Sequence, residues 1–527
     1  MTDTSLNQNI IERVAMGDML RRRSREDGDK LALVDFPGGQ RREYTYAQLN
    51  QRANQMAHGL IAKGIQQGEK LALVSSNCSD MFVTYFACYK LGVIVVPINF
   101  MQNPDDIRYN LEHSETVAVV YEDILAGVVR PCMSGNENIR LNIQIGSEQG
   151  DSDISMEDLI EGQSDDEILD RVIQDRDTAH MIYTSGTTSR PKAVETSHLS
   201  LVVAALTGAL ELDVKKEGCM LLILPLFHCA ALSMSFPTLL RSGNIVIHKS
   251  FDVEAVLDAV EKDKVDNATL LPMMWNALTS SPGVEQRDLS SFELGIYAMA
   301  PMDANSLNRV REVFGCKMHL GSGQTEFAPA ACLFMDKSPT EFGEGNYWGR
   351  PVSTVEQAVI DDQGNELPQG EIGEIVWRGA QAMSGYYKNP EASAEASLFG
   401  WHHSGDLGLI DKEGQLLFVD RKKDTIKSGG ENVSSMKVEQ SLLSYGGILQ
   451  AAAFGVPHPH WGEAVCACVV PSGDKELDEE AIIEHCKQEL GNFEVPKKVV
   501  IAEALPLTGT GKVRKVELRQ QYENLFQ

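Results

Sequence analysis

The chain has 527 residues, too many for one hydrophobic core, so it divides into two or more domains. Hydrophobic residues make up 43% and charged residues 23%, ordinary values for a globular protein, and no apolar run is long enough to span a bilayer. With 47 basic against 75 acidic residues the formal net charge is −28, which excludes nucleic acid and anionic membranes as main partners and leaves any bound phosphate to local donors.

The opening residues Met1-Thr2-Asp3-Thr4-Ser5 lack the basic and apolar regions of a secretory signal, so the expected compartment is the cytoplasm. Ten cysteines without zinc spacing read as core thiols in reducing surroundings. Cys466 and Cys468, in a strand-like run, are read as facing opposite sides of it.

Along the chain, Leu31-Ala32-Leu33-Val34 reads as a strand, and Thr45 opens an amphipathic helix through Leu60. Leu71–Val74, a helix near Met81 to Leu91, and Val93–Pro97 form a βαβ pattern. The acid-rich stretch from about 133 to 177 reads as surface. Strand and helix then alternate from 179 to about 325, and Gly349 to Gly379 is richer in strands. The expected architecture is α/β: a large N-terminal domain, 1–419, of mixed sheets with packed helices, a hinge at 420–424, and a small mobile α+β domain, 425–527. Strands at Ile448–Val456, Val465–Val470 and Lys498–Ile501 and a helix from Asp478 to Leu490 would build the latter.

One stretch concentrates phosphate-binding chemistry: Tyr183-Thr184-Ser185-Gly186-Thr187-Thr188-Ser189-Arg190-Pro191-Lys192. Its hydroxyls donate hydrogen bonds, Gly186 permits close backbone approach, and Lys192 adds a point charge. Ala179–Tyr183 before it reads as a buried strand. His198 to Leu210 after it reads as a helix capped by Thr196 or Ser197, which suggests a phosphate loop between strand and helix. No Gly-Lys-Ser/Thr triplet follows, so this is not a Walker A loop.

Further motifs follow in order: Pro225-Leu226-Phe227-His228, Ala298-Met299-Ala300-Pro301, Gly323-Gln324-Thr325-Glu326, Gly349-Arg350-Pro351, Ser404-Gly405-Asp406-Leu407-Gly408, Arg421-Lys422-Lys423-Asp424 and Thr510-Gly511-Lys512. Together they resemble the acyl-activating, adenylate-forming superfamily of acyl-CoA synthetases, adenylation domains and luciferase, closest to the acyl-CoA synthetases. The resemblance implies an ATP-dependent acid–CoA ligase. A carboxylate attacks the α-phosphate of ATP, pyrophosphate leaves, and the CoA thiol then displaces AMP. The implied co-substrates are ATP, CoA and a small carboxylic acid, with Mg²⁺ as the metal; the number of chains in the assembly stays open, a homo-oligomer included.

On matching positions, the resemblance assigns Thr184, Ser185, Gly186, Thr187, Thr188 and Lys192 to the β- and γ-phosphates. Ala300, Pro301 and Ser322 fall beside the adenine, Thr325 on the α-phosphate, and Glu326 on Mg²⁺, whose preference for oxygen suits a carboxylate. Asp406 and Arg421 take the ribose. Lys512 is the catalytic lysine of adenylation, Lys423 the hinge about which the small domain turns, and Gly429 and Gly430 line the CoA tunnel. His228 gates the carboxylate pocket, and Met274, Trp275 and Ala298 are expected to line the acyl pocket, Trp275 restricting it to short or compact acids.

Three departures from the family pattern stand out. Ser189 and Ala193 replace glycines of the loop, so the backbone there must avoid positive φ. Ser322 stands where an aromatic residue usually stacks on adenine, and Met299 replaces a glycine beside it. A carrier-protein-loading adenylation enzyme is the runner-up function, and a non-enzymatic nucleotide-binding relative is the second alternative. The absence of a carboxylate between Phe227 and Asp252 disfavours an amino acid substrate.

Overall fold

The computed structural model describes residues 4–146, 153–184, 190–298, 302–329, 331–335, 346–473, 477–507 and 513–526. Among them, strands assemble into three sheets of thirteen, eight and five. The first two, with their helices, form the large N-terminal domain, and the third forms the smaller C-terminal one.

The thirteen-stranded sheet has a parallel half and an antiparallel half. Leu31–Asp35, Asn244–Ile247, Cys219–Leu222, Asn267–Leu270, Leu294–Ala298 and Lys317–Ser322 run parallel. From Cys332–Phe334 onward the pairing is antiparallel, through Asn346–Pro351, Leu416–Arg421, His402–Ile410, Gly373–Gly379 and Val355–Ile360. The eight-stranded sheet is centred on Thr178–Thr184, Ile94–Pro97 and Lys70–Val74.

Helices fill the space between the two large sheets. All thirteen residues of Ser79–Leu91 are buried, which is why this helix is apolar on every side. Its one cation, Lys90, donates to Asn50 Oδ1 at 2.8 Å and is paired with Glu167 at 2.7 Å. Phe86 and Tyr89 pack edge-on against Phe236 of the helix Cys229–Leu240, so the central core joins both sheets. Thr45 caps Tyr46–Ala62 with a reciprocal Gln48 contact, as the sequence suggested.

Three readings need correction. The acid-rich stretch 133–177 is not only surface: it carries the strand Leu141–Ile145 and the helix Met156–Ile160, and it buries Ile143, Met156, Leu159 and Ile168 in the central core. Cys466 and Cys468 share one face, in the same cluster as Phe454 and Leu518, because side chains two apart on a strand point the same way. The phosphate-loop segment does not run from strand to helix. A further strand, Lys192–Ser197, pairs antiparallel with Thr178–Thr184 before the helix His198–Glu211 begins, capped by Ser197.

The large sheet ends at Arg421 and the five-stranded sheet begins at Ile426. Buried Asp420 accepts from the backbone and hydroxyl of Ser435, and Arg519 of the last helix donates to the Lys423 carbonyl at 2.9 Å. In the small domain, Ile448–His458 and Gly462–Pro471 form a long antiparallel pair, with Lys498–Ile501 parallel to the latter. No described helix is long and apolar enough to cross a membrane.

Candidate active site

A cleft of about 1050 Å³ opens where the two large sheets and the small domain meet. Thr184, Lys192, His228, Ala298, Ser322, Thr325, Glu326, Asp406, Arg421 and Lys423 all line it, although up to 239 residues separate Thr184 from Lys423 in the chain. Met436 and Val513 of the small domain contribute to the same wall.

Each side chain is placed by a definable local cause. Lys192 opens the strand opposite Thr184, and Thr184 Oγ1 donates to its carbonyl at 3.4 Å. Ala193 sits buried in that strand opposite Tyr183, in extended backbone, so the missing glycine costs nothing there. Thr325 and Glu326 lie on a short 3₁₀ turn at the end of Lys317–Ser322. Ala328 closes that turn with φ +42°, a region costly for a residue with a Cβ. Gln324 Nε2 donates to the Ser404 carbonyl at 3.2 Å, tying the acidic turn to the Asp406 segment. Asp406 and Arg421 are register partners on adjacent antiparallel strands, with Arg421 Nε 4.0 Å from Asp406 Oδ1. Gly405, at φ +73°, turns the chain so that its carbonyl receives Lys422 N at 2.9 Å.

His228 caps no side chain but sits at the N-terminus of Cys229–Leu240, so the positive end of a helix dipole faces the cleft. Cys229 Sγ lies 3.3 Å from Thr325 Oγ1, which brings this helix start against the acidic turn. Burial, and next the charge of Arg421, hold the Lys423 ammonium below its usual range, against the pull of Asp424, Asp406 and Glu326. Lys192, Arg421 and Lys423 thus gather positive charge locally in a chain of strongly negative net charge.

Other expected site residues lie elsewhere or outside the described residues. Trp275 is fully buried on the far side of the sheet, against Phe292 and Phe314, and donates through Nε1 to the Ile296 carbonyl at 3.3 Å. Met274 packs against the same cluster. Neither lines the cleft. The helix Pro272–Thr279 covers the opposite face of the strand whose Ile296 and Ala298 face the cleft, and alternation on a strand separates the two. Gly429 and Gly430 form the turn of the hairpin Ile426–Ser428 and Glu431–Val433, at φ +63° and +90°, and they are not among the residues that line the cleft. Ser185, Gly186, Thr187, Thr188, Ser189, Met299, Ala300, Pro301 and Lys512 lie outside the described residues.

The structure also adds residues that the motifs did not reveal. Trp348 and Phe418 stack in the cleft, centroids 4.6 Å apart and planes within 13°. Ala204 and Gly208, four apart on His198–Glu211, present a small-residue face to it. That spacing was visible in the sequence as a helical stripe; the ring pair was not, since its members come from distant strands.

A cleft lined by polar turns and clustered cations, with Asp406 facing Arg421 on paired strands and a second domain contributing to its wall, is the kind of site that two-domain nucleotide-binding enzymes use. Residues 20–387 match the model of the AMP-binding enzyme family and 437–512 that of the AMP-binding enzyme C-terminal domain. The chain therefore belongs to the AMP-binding, adenylate-forming enzymes, close to the acyl-CoA synthetases. It is 34% identical over 479 residues to a feruloyl-CoA synthase of Amycolatopsis sp, covering 91% of this chain and 94% of the relative. It is 32% identical over 515 residues to a long-chain-fatty-acid–CoA ligase of Mycobacterium tuberculosis, covering 96% and 98%. The crystal structure of ATP-bound MatB from Rhodopseudomonas palustris superposes with a TM-score of 0.86 at 26% identity, over 97% of this chain and all of that one.

Proposed function

We propose that this protein is an acid–CoA ligase that works in two half-reactions at the cleft, forming an acyl-adenylate and then an acyl-CoA. The observation that carries this reading is the convergence of Lys192, Thr325, Glu326, Asp406 and Arg421 from four separate segments on one cavity. A triphosphate laid along it meets Thr184 and Lys192 at one end and Thr325 at its α-phosphorus. The sugar hydroxyls donate to Asp406, with Arg421 alongside. Catalysis of nucleotidyl transfer is chiefly positioning plus charge stabilisation, which these polar and charged groups can supply.

The acid's carboxylate rests near His228 and the positive end of Cys229–Leu240, and the acyl group extends toward Ala204, Gly208, Ile296 and Ala298. Its oxygen attacks the α-phosphorus, and pyrophosphate leaves along the Lys192 side. Glu326 suits Mg²⁺, because that ion takes one or two carboxylates plus substrate phosphates, and no group of three or more His, Cys, Asp or Glu among the described residues forms a protein cage. Bound there, Mg²⁺ neutralises charge on the phosphates.

The thiol step requires a second arrangement of the small domain. Residues 420–424 join the two sheets, and Lys423 is the hinge of this reading. Val513 of the small domain lines the cleft, and Lys512 is the lysine of the adenylation half-reaction in this reading. Rotation about Lys423 would withdraw it and carry the Gly429-Gly430 hairpin inward as a wall for the pantetheine arm. A panel of carboxylic acids assayed for AMP release with and without CoA tests the proposal. AMP and thioester formation that needs both an acid and CoA is the expected result. Transfer only to a carrier-protein thiol, or no exchange of pyrophosphate with any acid, would refute it.

A further inference from the structure

Tyr386 stands between the acidic turn and the phosphate-facing lysine, outside every motif that the sequence singled out. Its hydroxyl donates to Glu326 Oε1 at 3.0 Å, and its ring centroid lies 4.7 Å from Lys192 Nζ. Its own position is fixed from three sides. It pairs with Val194 on the strand that begins at Lys192, its amide donates to Ser393 Oγ at 2.8 Å, and Ser393 Oγ is anchored on the Asn389 carbonyl at 2.8 Å. The same segment holds the turn through the backbone, where Met383 N donates to the Glu326 carbonyl at 2.8 Å.

A phenol offers two different surfaces, a hydroxyl at its edge and a negative face. Here each is in use, the hydroxyl on an anion and the face beneath a cation. One hydrogen bond to Oε1 orients the carboxylate, and no partner of Oε2 is found among the described residues. Lys192 and Glu326 are each engaged by Tyr386 rather than by the other, which keeps both charges available to a ligand.

We propose that Tyr386 is a positioning residue for the metal–triphosphate unit, its hydroxyl orienting Glu326 and its ring carrying Lys192. This rests on the roles proposed above for those two residues. The test is Mn²⁺ binding followed by electron paramagnetic resonance with a non-hydrolysable ATP analogue, on wild type, Tyr386→Phe, Glu326→Gln and the double variant. Tyr386→Phe should weaken Mn²⁺ by about tenfold, the loss of one hydrogen bond to a charged group, while leaving metal-free analogue affinity unchanged. In the Glu326→Gln background the same change should have no further effect. Tyr386→Leu, which also removes the ring face, should lower metal-free analogue affinity by about threefold. Wild-type Mn²⁺ affinity in Tyr386→Phe, or an undiminished effect without Glu326, would overturn the assignment. These readouts need no knowledge of the acid. Silent pyrophosphate exchange in the wild type would strike the ligase reading alone, and the Mn²⁺ cycle judges Tyr386 separately.

Discussion

Replacing Trp348 with leucine asks where the base of the nucleotide rests. Ser322 is buried at the cleft wall and has no ring to offer, whereas Trp348 and Phe418 present a nearly coplanar pair in the same cleft. Across a bulge, Phe418 and Arg421 stand opposite Gly408 and Asp406, two residues or about 7 Å apart on the facing strand, a distance that fits a base attached to a ribose held by Asp406 and Arg421. An aromatic stack contributes about 0.5–1.5 kcal/mol beyond its buried area, so its loss should raise the KM for ATP by about two- to twelvefold with little change in kcat. Leucine keeps apolar bulk between the two core clusters that Trp348 touches, which limits the effect on folding. The assay is acid-dependent pyrophosphate exchange across ATP concentrations, joined to quenching of tryptophan fluorescence by AMP. Ser322→Tyr added to Trp348→Leu should recover part of the lost affinity. An unchanged KM, or a fall in kcat at constant KM, would refute the placement of the base.

Three other outcomes are expected. Lys512→Ala should abolish adenylation yet spare thioester formation from supplied acyl-adenylate, measured as separate half-reactions; equal loss of both would contradict domain alternation. Trp275→Ala should destabilise the protein by about 3–5 kcal/mol in denaturant titrations without altering which acids are accepted; a shifted acid profile would return Trp275 to the pocket. Burial pushes His180 down to about 3, and His198 and His402 to about 4, so all three stay neutral in the folded state. Their contribution is complete above the ordinary value of 6.5 and is lost as pH falls, because only the unfolded chain then binds the protons. Between about pH 6 and pH 4 stability should drop by roughly 4 kcal/mol per unit, about 1.4 for each histidine, and His180→Gln should remove about a third of that slope; a flat profile would count against buried neutral imidazoles.

The periodic elements were legible because they are local. The βαβ run through Lys70–Val74, Ser79–Leu91 and Ile94–Pro97, the Thr45 cap and the strands of the small domain each follow from hydrophobic spacing and turn chemistry within a dozen or so residues. The polar cleft residues were legible for a different reason. Glu326, Asp406 and Arg421 sit in short segments whose order matches a family, and only those segments combine such groups. Where the reading failed, it failed on direction. The strand Lys192–Ser197, with Glu195 and Thr196 among its six residues, carries no clean alternation, so the sequence offers no strand signal between the loop and the helix.

Sequence alone determined a two-part α/β chain, the chemical types gathered in its cleft, and a net charge that forces phosphate binding to be local. Tertiary structure decided which face each residue takes. Trp275 and Ala298 sit near strands of the same sheet yet lie on opposite sides of it. Tyr386 gains its two partners only because Gly385–Tyr386 pairs with a strand nearly two hundred residues earlier. The physical reason is range: hydrogen-bonding and periodicity rules act over neighbours in the chain, whereas the side of a sheet and the partner across a cleft are settled by packing between segments that the chain holds far apart.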